Sequence, residues 1–240
     1  MLKNALLVSL SVLVMTASGA TLTDNYVLSS SLNDTLGGPS LVADGGTQSA
    51  TGYSFTANQG LNLSSALSNS GDYSILMDFS FSTLSGFRKI LDFQNRTSDG
   101  GLYDLNTSLN FFPVGTGPGV FSPDVLARVV LTRDSGTNTV TGYVNGAQQI
   151  VFNDSGSSAV FGATNNIIRF FEDDFVTGQS EASAGRATEI QIYNGALTSA
   201  DVRLLGGPAE IPTSGVPEPA ALTLVGFGLL SLGFVRRLKA

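Results

Sequence analysis

The sequence predicts an all-β domain of two packed antiparallel sheets, and three observations carry that prediction. Short runs alternate apolar and polar residues with period two. The clearest is Tyr73 to Phe81, where Tyr73, Ile75, Met77, Phe79 and Phe81 share one face and Ser74, Asp78 and Ser80 the other. Turn-forming Gly, Asn, Asp and Ser separate these runs throughout the chain. No helical period competes before Ala196. The 240 residues are 42% hydrophobic and only 13% charged, against a usual charged share of about 25%. Gly, Ser, Thr and Asn stand in for the missing charges, which suits many short strands with hydroxyl-rich solvent faces. Setting both ends aside leaves about 190 residues, enough for one domain with a full core.

In chain order, Tyr26 to Leu28 is a candidate first strand, and 32–52, rich in Gly, Ser, Asp and Thr, reads as a loop. Tyr53 to Thr56 and Leu61 to Leu63 are short strands before the long one at Tyr73 to Phe81. Lys89 to Gln94, Leu102 to Leu105 and Leu109 to Phe112 follow; Gly115 to Gly119 (GTGPG) is expected to be a loop. It lacks the Lys-Ser/Thr and the following helix of a phosphate cradle. A meander comes next: Ala127 to Thr132, Thr139 to Val144 and Ala147 to Phe152, with Asn145-Gly146 as a type I′ hairpin turn. Ile167 to Phe171 precedes the acidic run Glu172-Asp173-Asp174, and Thr188 to Tyr193 alternates again. From Ala196 to Leu205 the period changes. Thr198 can cap a short helix with Asp201 in its first turn and Gly206 at its end, pinned to the sandwich by Val202 and Leu205.

Both ends carry other signals. Residues 1–20 read as a secretory signal peptide, with Lys3 in the n-region, Ala5 to Met15 as the apolar stretch, and Ser18-Gly19-Ala20 as the small-residue exit. Cleavage is expected after Ala20. Residues 21–207 form the domain, and 208–215 (PAEIPTSG) a linker. At 216–240 the chain reads VPEP, an apolar stretch over 220–235, then RRLKA. That stretch is 16 residues, roughly 24 Å as a helix, so it is a marginal single transmembrane span. Arg236, Arg237 and Lys239 extend its reach by snorkelling and mark its cytoplasmic side.

Two resemblances follow from these segments. Val216-Pro217-Glu218-Pro219, the apolar stretch and Arg236-Arg237 together resemble the PEP-CTERM sorting signal of Gram-negative bacteria. The resemblance implies processing near the motif by an exosortase, with a transient membrane anchor and delivery to the cell surface or outside the cell. A plain C-terminal anchor is the alternative. Leu131 to Gln149 and Ala187 to Gly206 resemble the central hairpin and the closing strand with its helical turn in laminin-G-like, concanavalin A-like jelly rolls. Phe87 to Tyr103 resembles a strand pair of secreted bacterial members. These likenesses imply a jelly-roll sandwich, not an activity.

Composition excludes several chemistries. With no Cys and no His, disulfides, Ser-His-Asp triads and His-ligated zinc are impossible. Residues 21–207 hold 8 basic and 17 acidic side chains, a net of −9, which excludes a nucleic-acid partner. Glycoside hydrolysis needs two carboxylates flanking the bond. Related glucanases carry Glu-x-Asp-x-Glu on one strand, and this domain has only Glu172, Glu181 and Glu189, none in such a run. No Trp offers a stacking platform. The chain is therefore expected to be an exported, non-catalytic surface or matrix protein. The alternative is a lectin-like module binding a glycan or exopolysaccharide, with Tyr53, Tyr103, Tyr143 and Tyr193 as flat rings or as ordinary sheet residues. Asp173 and Asp174 are the candidate ligands for a calcium ion, which takes 6–8 oxygens; otherwise the acidic run is a solvated turn.

Overall fold

The computed structural model describes residues 19–208. The first half of the domain contributes β1 (Thr21–Val27), β2 (Val42–Ala43), β3 (Thr47–Ser49), β4 (Gly52–Phe55), β5 (Leu61–Leu63), β6 (Tyr73–Phe81), β7 (Phe87–Asp92) and β8 (Gly101–Leu105). The second half contributes β9 (Ser108–Phe112), β10 (Gly115–Gly119), β11 (Ala127–Asp134), β12 (Thr139–Val144), β13 (Ala147–Asn153), β14 (Ile168–Phe170), β15 (Gly185–Asn194) and the closing helix α1 (Ser199–Leu205). One sheet runs β13-β12-β11-β6-β15-β4-β3, with β1 also joined to β15; the other runs β10-β9-β8-β7-β14-β5-β2. Every pairing among them is antiparallel. This is a two-sheet, jelly-roll-like sandwich, as the alternation predicts.

The core forms where the inward residues of the two sheets meet. From β6 come Tyr73, Ile75, Met77, Phe79 and Phe81, the five residues on its predicted apolar face, all buried. Phe171 stacks on Phe55 at 4.9 Å between ring centroids and 7° between planes, and it meets Phe79 at 5.1 Å. Asn145 and Gly146 both take positive φ, 49° and 81°, as the hairpin turn requires.

Three expectations are corrected. The opposite face of β6 is not solvated: Ser74, Asp78 and Ser80 are buried. Helix α1 covers that face, with Val202 in a second apolar cluster with Leu76, Val130, Tyr143 and Tyr193. Ser74 Oγ is satisfied by donating to the Gly195 carbonyl and accepting from the Leu197 amide, at 3.0 and 2.8 Å. Asp78 is held by a two-pronged pair with Arg128, 2.8 and 2.6 Å. Secondly, 32–52 is not wholly loop, since β2 and β3 add short edge strands to the two sheets. Thirdly, Gly115 to Gly119 is a strand. At the sheet edge Pro118 needs no N–H partner on its open side, which is where a strand tolerates proline.

The helix follows its sequence signals. Thr198 Oγ accepts from the Asp201 amide and the Asp201 carboxylate accepts from the Thr198 amide, a reciprocal capping box, with Gly206 at the far end. Of the terminal signals, Ser18, the motif at 216–219, the span at 220–235 and the basic residues Arg236, Arg237 and Lys239 lie outside the described residues. Ala20 lies inside them, immediately before β1. Among the described residues no helix is long and apolar enough to cross a membrane.

Candidate functional site

The site grows from the pairing of β7 with β14, which sequence spacing does not announce. The chain leaves this sheet after Phe171, whose amide donates to the Ile90 carbonyl at 3.0 Å. It returns at Glu181, whose carbonyl accepts from the Lys89 amide at 2.8 Å. The excursion between them, 172–180, therefore stands directly opposite Lys89. Lys89 is fully buried, and so are Asp92, Glu172, Asp173 and Asp174.

The lysine ammonium is the electrostatic centre. Its Nζ lies 2.8 Å from Asp174 Oδ2, 3.8 Å from Asp92 Oδ2 and 3.9 Å from Asp173 Oδ1. Only the first is a hydrogen bond; the other two oxygens face the ammonium without one. Nζ also donates to the Asp99 carbonyl at 3.3 Å and sits 4.3 Å above the centre of the Tyr103 ring. A side chain at Gly101 would crowd this arrangement, since its Cβ would lie 2.8 Å from the Leu91 carbonyl oxygen and 3.2 Å from Lys89 Nζ.

Each carboxylate also folds a loop. Asp92 Oδ1 accepts from the amides of Gln94 and Arg96 at 3.1 and 2.7 Å, shaping the turn out of β7. Asp174 Oδ1 accepts from the Val176 and Thr177 amides at 2.8 and 2.9 Å. Asp173 Oδ2 accepts from Thr177 Oγ and from the Glu181 amide, each at 2.8 Å. Burial alone raises the Asp174 carboxyl, but the Lys89 ammonium and the loop amides win and hold it below the ordinary range. Asp92 goes the other way, burial raising it despite Arg96, Lys89 and Gln94. Burial pushes Glu172 up to about 7, against the pull of Arg169 at 3.2 Å and Arg96 at 3.5 Å.

The acidic run is thus neither a solvated turn nor an open cation site. Asp173 and Asp174, the sequence candidates for calcium, already face an internal ammonium. Among the described residues no group of three or more acidic side chains is arranged to hold a metal ion. The candidate tyrosines are also placed otherwise. Tyr53 and Tyr103 are wholly buried, and Tyr143 and Tyr193 lie in the cluster under α1. Tyr53 Oη bridges the Gly46 amide and the Gln59 and Gly60 carbonyls, so it is a structural clamp. None offers a free ring.

The concavity lies beside the lysine network. Residues 94 and 97–100, with Phe112, Pro113 and Ser158, line an open cavity of about 550 Å³. Its wall is the loop shaped by Asp92 and held by Lys89. The Asp99 carbonyl accepts from both Lys89 and Tyr103, and Asp99 Oδ1 accepts from Tyr103 Oη at 3.1 Å. Gln94 is fixed by its side-chain amide to the Val160 carbonyl at 3.2 Å. Phe112 is half-buried and packs edge-on against Phe87 at 5.7 Å. One aromatic ring, one carboxylate and a set of hydroxyl and amide groups surround the space. The lining contains a single carboxylate, Asp99, whereas glycoside hydrolysis uses two. Glu189 is engaged with Arg128 at 3.0 Å on the other sheet, and Glu172 with its two arginines.

Sequence reasoning missed both Phe112 and Lys89. The first was legible: with Leu109 and Phe111 inward, Asn110 and Phe112 must point outward. The second needed the β7–β14 pairing, because Lys89 and Asp174 are 85 residues apart in the chain.

No family model matches the chain, and no sequence among the curated proteins does. Solved structures do share its fold. Domain 4 of AbnA, a GH43 extracellular arabinanase from Geobacillus stearothermophilus solved in complex with arabinotriose, superposes with a TM-score of 0.59 at 20% identity, covering 78% of this chain and 98% of that one. Trypanosoma rangeli sialidase superposes at 0.58 with 17% identity over 77% of this chain, which spans only 32% of the sialidase. The binding domain of botulinum neurotoxin serotype D gives 0.54 at 13% identity, over 77% of this chain and 51% of that one. At these identities the similarity is one of fold, a two-sheet β-sandwich.

Proposed function

We propose that this chain is an exported, non-catalytic carbohydrate-binding protein whose ligand sits in the cavity lined by Gln94, 97–100, Phe112, Pro113 and Ser158. The carrying observation is the cavity's composition. Sugars present apolar C–H faces and a rim of hydroxyls, and they suit one aromatic ring among pre-positioned amides, hydroxyls and a carboxylate. The Lys89 network pre-organises that wall, which lowers the entropy lost on binding. The complex of the arabinanase domain with arabinotriose shows that a similar sandwich takes an oligosaccharide, and supports the reading to that extent. A single lining carboxylate favours binding over hydrolysis. The segment 216–240 supplies the delivery half of the proposal: exosortase processing at Val216 to Pro219 after transient anchoring by the following apolar stretch.

The test is retention of the full-length, detergent-solubilised protein on an oligosaccharide array, in parallel with Phe112→Ala and Asp99→Ala. The wild type is expected to bind at least one oligosaccharide, and both variants to lose it while melting normally. An array with no hits, or variants that bind as the wild type does, would reject the site. Release of reducing sugar from a retained polysaccharide would reject the non-catalytic half.

A further inference from the structure

The excursion over 172–180 carries an exposed ring at its tip. Phe175 and Val176, at the tip of the 172–180 excursion, are 61% and 64% exposed. They are not loosely placed. The Phe175 amide donates to the Arg96 carbonyl at 3.0 Å, and the Val176 amide to Asp174 Oδ1 at 2.8 Å. The Arg96 guanidinium lies 4.4 Å from the centre of the Phe175 ring, supporting it as a cation–π base. Arg96 is itself buried and tied down, donating to the Asp173 carbonyl, to Gln179 Oε1 and to Glu172 Oε2. A fully determined loop, neutralised by a buried lysine, thus presents one phenyl ring to solvent.

The neighbourhood identifies what the ring meets. The Phe175 amide bonds to the Arg96 carbonyl at 3.0 Å, and that carbonyl carbon carries the amide nitrogen of Thr97, a cavity residue, so the backbone of the tip lies beside one end of the cavity lining. Thr97, Gln179 and Ser180 add exposed hydrogen-bonding groups around it. The tip's two apolar side chains fall far short of the roughly 800 Å² per partner of a stable protein interface. An anionic membrane surface would need basic residues nearby, and Arg96, Lys89 and Arg169 are each occupied by acids in a domain of net charge −9.

We infer that Phe175 is a second sugar-stacking subsite, so that the ligand is an oligosaccharide spanning the cavity and the ring rather than a single sugar. This rests on the reading of the cavity as a glycan site. One sugar is held by Phe112 and Asp99, and the next lays its C–H face on Phe175.

The experiment is titration calorimetry of the full-length protein in detergent with arabinotriose, cellotriose and xylotriose and with their monosaccharides. At least one trisaccharide is expected to bind about tenfold or more tightly than its monosaccharide. Phe175→Ala removes that difference and leaves monosaccharide binding and the melting temperature unchanged; Phe175→Tyr restores it. If Phe112→Ala weakens both ligands while Phe175→Ala weakens neither, the cavity reading stands and the subsite is refuted. If no sugar binds, both fall. If Phe175→Ala alters only the mass in light scattering or the sedimentation with phosphatidylglycerol vesicles, the ring is an assembly or membrane contact and the inference is overturned.

Discussion

Replacing Lys89 with Met keeps an unbranched side chain, one heavy atom shorter, and removes its charge. Three buried carboxylates then lose the cation that lies 2.8, 3.8 and 3.9 Å from them. Breaking a buried pair from one side costs about 3–5 kcal/mol, because the partner charge stays buried and uncompensated. A native domain holds only about 5–15 kcal/mol in all. At roughly 2–4 °C per kcal/mol for a domain of this size, the melting temperature falls by about 6–20 °C. The sign of the pH dependence separates this from lost packing. In the wild type the Asp174 carboxyl is depressed, so it contributes stability above its unfolded value that is lost as pH falls through the folded one. Without the ammonium, burial is less opposed at Asp92 and Asp174, and their carboxyls rise. Raised carboxyls destabilise as pH climbs through their folded values. The deficit of Lys89→Met is therefore largest near pH 7.5 and shrinks toward pH 4.5. Urea unfolding followed by circular dichroism at the two pH values measures it. A deficit of equal size at both, or none at pH 7.5, would refute the internal-cation role.

Three further outcomes are expected. Asp104 is wholly buried, and burial pushes it up to about 7 against the pull of the Thr107 amide and of Arg88. Stability is thus lost as pH rises from about 4 to 7, by roughly 4 kcal/mol at about 1.4 per unit, and Asp104→Asn removes that slope; parallel urea profiles for the two proteins between pH 5 and 8 would exclude it. Thr198→Ala removes the hydroxyl arm of the α1 capping box, leaving the bond from the residue-198 amide to Asp201, and costs about 0.5–2 kcal/mol, read as a lower urea midpoint at unchanged slope. Pro217→Ala with Glu218→Ala should leave full-length chain in the membranes of cells that have an exosortase, with export intact; shortening and release like the wild type would make 216–240 an ordinary anchor.

What was legible in the sequence was local. The alternation of Tyr73 to Phe81, the Asn145-Gly146 turn and the Thr198, Asp201 and Gly206 signals each depend on residues within one element, and each forms as expected. What was not legible depends on partners far along the chain. The polar face of β6 looked solvent-bound because nothing in that strand tells of α1 or of Arg128, which covers Asp78 from 50 residues away. The acidic run looked exposed because its neutralising lysine is on β7, brought opposite by the β14 pairing. The strands β2 and β3, of two and three residues, carry too little pattern to detect. The tyrosines were the natural stacking candidates in a chain without Trp, yet the hydroxyls of Tyr53 and Tyr103 tie loops from inside while Phe112 stands at the cavity.

The most direct measurement is a titration of ¹⁵N-labelled protein with the best-retained oligosaccharide, followed by amide chemical shifts. Shifts concentrated at Gln94, 97–100, Phe112 and Ser158, with a second group at Phe175 and Val176, are the expected result. Shifts confined to the opposite sheet, or none at saturating sugar, would contradict carbohydrate binding at this site.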